Sequence, residues 1–140
     1  MQNPKQSKPA WVNFIALIAL IFGGMTLFSG GSVLFADGQA RADAGNYVPF
    51  ILWFNFIAGF FYIAASVGIF TWQKWGLTLS RLIFIATVIA FIGLAGYIAN
   101  GGSFEIRTVM AMALRSLVWL AIVVAVGTAW KRRMQIRGPL

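Results

Sequence analysis

Apolar positions fall into four long runs separated by short polar segments. The runs cover about Ala10–Ser29, Val48–Thr71, Leu77–Ala99 and Thr108–Trp130. At 1.5 Å of rise per residue, about 20 apolar residues cross a bilayer core of about 30 Å. The pattern predicts an all-α fold: one domain, residues 1–140, forming an integral membrane bundle of four transmembrane helices. The first connection, GGSVLFADGQARADAGN, reads as a Gly- and Ala-rich loop, with a short interfacial helical turn expected around Val33–Asp37. The connections TWQKWG and NGGS are tight, which makes the neighbouring helices antiparallel.

Composition supports the membrane reading. Hydrophobic residues make up 60% of the chain and charged residues only 10%, whereas soluble domains carry about 25% charged residues. A water-soluble fold of this chain would expose too much apolar surface to stay monomeric. The formal charge is +8, but the basic residues sit mainly at the ends of the apolar runs. That placement suits orientation signals and anionic lipid headgroups; nucleic acid is not an expected partner.

Lys and Arg placement also predicts orientation. If both termini share one side, that side carries Lys5, Lys8, Lys74, Arg81, Lys131, Arg132, Arg133 and Arg137. The opposite side carries Arg41 and Arg107, with Arg115 nearest to it. This asymmetry places both termini in the cytoplasm. Trp11, Trp72, Trp75 and Trp130 would then mark the inner interface, and Tyr47 and Tyr97 the outer one. Lys5, Lys8 and the Ala40-Arg41-Ala42 triplet give the first span some features of a signal peptide. Its apolar run exceeds the roughly 7–15 residues of a signal core, so an uncleaved helix is expected.

Cys and His are both absent. Disulfides, thiol redox chemistry, His-ligated haem, zinc sites and a His general base are therefore excluded. No cofactor or metal site is expected. Met110 and Met112 diverge by about 200° on a helix and cannot converge on one ion.

Small residues recur at four-residue spacing: Ala19 and Gly23, Ala64 and Gly68, Ala86 and Ala90, then Ala121, Ala125 and Ala129. Such stripes let helix backbones approach closely in lipid, either within a bundle or toward a partner. A faint internal echo pairs Phe14–Ala16 with Phe84–Ala86, and Gly23 with Gly93, as two related hairpins would.

Arg115 stands inside the last apolar run. Counting about 20 residues back from Trp130 places it roughly 6 Å below the outer boundary. From there a guanidinium can snorkel to the headgroups. Alternatively it turns into the bundle, where Asn55 lies in nearly the same layer. Tyr97, Glu105 and Arg107, with Asn100 nearby, would complete a polar pocket opening outward. Arg107 and Arg115 lie within about 80° on the helical wheel and can face one anionic group. The set Asn55, Tyr97, Glu105, Arg107 and Arg115 is thus either a ligand pocket or a polar lock on helix register.

Two segments, GNYVPFILWFNFIAGFFYIAA and GGSFEIRTVMAMALRSLVW, resemble uncharacterised small four-helix bacterial inner-membrane proteins, DoxX-like in size. The resemblance implies a bacterial inner membrane and a compact bundle, and it carries no catalytic motif.

The favoured reading is a non-enzymatic multi-pass inner-membrane protein, acting as an accessory or oligomer-forming subunit. Its expected partners are the lipid bilayer, anionic headgroups at the basic KRRMQIR tail, and a second copy or another membrane protein. The alternative is a small transporter or binding protein for an anionic or amphipathic ligand, using the Arg/Asn pocket. An enzyme would need a quinone or metal partner that these residues do not reveal.

Overall fold

In apolar surroundings every backbone N–H and C=O must find its partner within the chain, and helices achieve this locally. The computed structural model describes residues 8–35 and 38–137, and among them there is no strand. The elements are α1 (Ala10–Phe35), α2 (Gln39–Ala44), α3 (Pro49–Phe70), α4 (Lys74–Ala99) and α5 (Ile106–Arg137). The four long helices are each long and apolar enough to cross a membrane.

Helix α1 runs six residues past the predicted end at Ser29. Gly30 is buried against Phe56 of α3, and the Ser32 hydroxyl donates back to the Phe28 carbonyl at 2.7 Å. The Gly-Gly-Ser triplet therefore serves as a close-packed helical turn. The short helix in this connection lies at Gln39–Ala44, not around Val33–Asp37. Val33 and Leu34 belong to α1, and Asp37 lies outside the described residues. Helix α5 continues beyond Trp130 to Arg137. The Lys, Arg, Met and Gln of this tail are good helix formers, and cations suit a helix C-terminus.

Two helix ends close with the same hydrogen-bond pair. The Gln73 and Trp72 amides donate to Gly68 and Ile69; the Gly102 and Gly101 amides donate to Tyr97 and Ile98. The residue in the left-handed position is Gly101 in one case, as this motif prefers, and Trp72 with φ 56° in the other. The Trp72 ring packs on Trp130 at a centroid distance of 5.0 Å, tying the α3–α4 turn to α5. The Lys8 ammonium donates to the Phe70 carbonyl, fixing the start of α1 beside the end of α3. This end of the bundle is called the terminal end below; the α2 side is the loop end.

Packing proceeds around the bundle from α1 to α3, α3 to α4 and α4 to α5. The α1–α3 pair is closest at Gly23 and Gly59, where a Cβ on Gly23 would sit 3.1 Å from the Gly59 carbonyl oxygen. Gly93, the counterpart of Gly23 in the internal echo, is exposed and has no such role. Of the small-residue stripe on α5, only Ala129 is buried; Ala121 is exposed and Ala125 half-buried. The bundle centre is filled by Tyr62 and Trp119, both fully buried with rings 4.9 Å apart. Outward-facing surface is apolar nearly throughout, including Phe28, Phe60, Ile92 and Leu117. In water that coat would drive aggregation; in a bilayer it is solvated.

Candidate functional site

The long side chains at the bundle centre leave a cavity toward the loop end, with mainly apolar walls and a few polar and charged groups. It has a volume of about 220 Å³ and is bounded by Ser29 and Val33 of α1, Asn55 of α3, and Arg107 and Arg115 of α5, with Glu105 at its mouth. Helix geometry brings these residues together. Arg115 and Trp119 are four apart on α5, and Asn55 and Tyr62 are seven apart on α3, so each pair shares a face. Those two faces meet across the centre of the bundle.

Arg115 turns toward α1. Its Nη1 donates to the Thr26 hydroxyl of α1 at 2.9 Å, and its guanidinium carbon lies 5.3 Å from the Phe22 ring centroid. Phe22 in turn stacks on Tyr62 at 5.7 Å. The Arg115 side chain is half-buried, and its Nε is sealed from solvent without a hydrogen-bond acceptor. The Asn55 Oδ1 in the same cavity wall is also sealed and without a donor. Deeper still, the Tyr62 hydroxyl and the Trp119 indole N–H are buried without partners. The interior thus holds three unused donor groups and an unused amide acceptor in two adjoining layers. Leaving such groups unpaired costs about 1–3 kcal/mol each, more for a charged one.

At the mouth, polar side chains bind the connecting loop. Glu105 Oε1 accepts the Asn46 amide N–H at 2.9 Å. Arg107 Nη2 donates to the Asp43 carbonyl at 2.7 Å. Together these contacts strap the α2 segment to the start of α5. Glu105 is the one acid among the described residues of the cavity wall, against two arginines, so the site favours anions.

The cavity therefore gathers Asn55, Glu105, Arg107 and Arg115. Tyr97 lies elsewhere: its ring packs edge-on against Phe50 at 6.0 Å, and its hydroxyl donates to the Ser103 carbonyl at 3.0 Å. The turn at Gly101 lays Gly102 against the Tyr97 ring and brings the Ser103 carbonyl to its hydroxyl. Asn100 is exposed and donates to Gly96 within its own helix. Arg107 and Arg115 share the wall but not a target, since Arg107 is turned to the loop and Arg115 to α1.

No family model, characterised protein or solved structure matches the chain.

Thr26 and Phe22 did not emerge from the sequence reading, although a signal for Thr26 exists. Thr26 is fifteen residues from Trp11, and Arg115 is fifteen residues from Trp130. Both therefore stand about 22 Å from tryptophans at the terminal end. A hydroxyl in an apolar helix at the depth of a buried arginine is a natural partner for it. The aromatic-rich α3 also borders an apolar groove of about 250 Å³ with α4, between Phe54, Phe61, Leu82 and Ala86. It presents almost no polar surface.

Proposed function

We propose that this chain is a multi-pass protein of a bacterial inner membrane, with both termini cytoplasmic, that binds an anionic amphipathic ligand in the Arg115 cavity. The observation that carries the reading is Arg115 itself. It is a cation turned into the bundle, half satisfied by a neutral hydroxyl, with a sealed N–H left over. Charged side chains within membrane spans are costly and face interiors where they contact substrates or partners. A guanidinium fork binds carboxylate or phosphate through two parallel hydrogen bonds, for which Thr26 is a poor substitute. The lipid-like half of the ligand follows from the mainly apolar walls around Arg115, with Val33, Val48, Ile51, Leu52 and Ala111 among them. The topology rests on the eight-to-three excess of Lys and Arg at the terminal end.

Dodecyl phosphate serves as the probe, with dodecyl maltoside as the uncharged comparison. At about 100 times Kd, binding adds about 2.7 kcal/mol of stability. For a chain of this size that raises the unfolding temperature by about 5 °C or more. The rise is expected in the wild type and absent in Arg115→Gln. Equal rises in both would remove Arg115 from the site.

A subunit role is the second reading, favoured by the part of the α5 small-residue face that the bundle leaves uncovered. Ala121 is exposed there beside Leu117, Leu120 and Val124. Crosslinking in gentle detergent tests this; a strictly monomeric protein without a co-purifying partner counts against it.

A further inference from the structure

The ligand's headgroup and its route into the cavity follow from how the bundle closes. Building on the binding reading above, we infer that the ligand is a phosphate-bearing lipid. Its headgroup enters sideways between α1 and α5 while its chains stay in the bilayer.

Three observations meet at this seam. First, helix packing seals the α1–α3, α3–α4 and α4–α5 sides, whereas α1 and α5 have no comparable backbone contact. The Arg115–Thr26 hydrogen bond spans that gap. The residues preceding this pair, Met25 and Leu114, are 65% and 54% exposed, so the gap has apolar shoulders suited to acyl chains. Second, the cavity volume of about 220 Å³ admits a headgroup but not two chains. Whole-ligand pockets run from about 300 Å³ upward. Third, the unused polar atoms match a phosphate carrying a hydroxyl-bearing headgroup. Arg115 has five N–H donors and uses one on Thr26; the sealed Nε completes a two-pronged fork toward phosphate oxygens. Asn55 Oδ1 needs a donor, which a headgroup hydroxyl supplies.

The side route also explains the mouth. Access from the loop end is crossed by the Asn46–Glu105 and Arg107–Asp43 contacts, whereas at the depth of Arg115 the seam is closed by that side chain's contacts with Thr26 and Phe22. A charge-assisted bond to phosphate is about twice as strong as one between neutral groups. An arriving phosphate therefore outcompetes Thr26 for the guanidinium, and the seam opens as the ligand seats.

The full chain in uncharged detergent is titrated with three probes. Dihexanoyl phosphatidylglycerol has chains and phosphate, dihexanoylglycerol has chains alone, and glycerol 3-phosphate has phosphate alone. The first is expected to raise the unfolding temperature by about 5 °C or more near saturation, and the other two by less than about 1 °C. The route is tested with Met25→Cys and Leu114→Cys together, a unique thiol pair because the chain has no cysteine. Bridging the pair with a short bismaleimide before adding lipid should abolish the shift, while the unbridged pair keeps it. Equal stabilisation by glycerol 3-phosphate overturns the lipid inference and leaves anion binding standing. Equal stabilisation by dihexanoylglycerol overturns both, because phosphate is then not read. A bridged pair that still responds overturns the side route alone.

Discussion

Gly76→Ala should lower the stability of the bundle by about 3 kcal/mol, at the upper end of ordinary overpacking costs. The reason is where α3 and α4 cross beside their turn. A Cβ on Gly76 would lie 2.7 Å from the Ile69 backbone nitrogen and 2.9 Å from Gly68 Cα. Backbone cannot rotate out of the way as a side-chain end can, so the helices must separate. Gly68→Ala meets the same obstacle from the other side, with its Cβ 2.6 Å from Gly76 Cα. The two substitutions should therefore be strongly sub-additive, because one separation relieves both. Gly24→Ala is the control: nothing lies within 4 Å of its Cβ position. Alanine there should stabilise the helix by up to about 1 kcal/mol. Unfolding in graded denaturing detergent compares the three. A neutral Gly76→Ala would mean that α3 and α4 do not cross as described.

Arg115→Leu is expected to move two readouts in opposite directions. Binding of dodecyl phosphate should weaken by at least about 30-fold, since removing one member of a buried charge pair costs about 2–5 kcal/mol. Stability without ligand should hold or rise. A charge within a membrane span costs up to about 2.5–3.5 kcal/mol at the helix centre on insertion scales and less at the depth of Arg115, and one bond to Thr26 returns only part of that. A lock on helix register predicts the reverse: Arg115→Leu and Thr26→Val would each loosen the bundle, and binding would be irrelevant. Parallel titration and unfolding of both variants separate these accounts.

The helices were legible because apolar runs of membrane length leave little choice of fold. Their ends were less so. Gly30-Gly31-Ser32 has the composition of a loop, and only the Phe56 side chain packed on Gly30 reveals why it stays helical. Within the site, Arg115 and Asn55 were legible as polar residues in apolar helices at one depth. Tyr97 looked equivalent because its depth was right. Its direction depended on the Gly101 turn, which no periodicity encodes. Thr26 was missed for a related reason. A hydroxyl can satisfy itself on its own helix, as Thr87 does with the Ile83 carbonyl at 2.7 Å. Its reach to Arg115 is a property of the α1–α5 gap, which exists only once four helices are packed.

On the proposed reading, the Arg115 guanidinium holds the ligand's anionic group inside the bundle. Solid-state magnetic resonance on the protein with ¹⁵N-labelled arginine, loaded with dodecyl phosphate in bilayers, tests it most directly. Phosphorus should dephase one guanidinium signal with a nitrogen–phosphorus distance of about 4 Å, as a direct N–H···O contact requires. That signal should vanish in Arg115→Gln. Dephasing that survives the substitution, or is confined to arginines at the terminal end, would contradict the account.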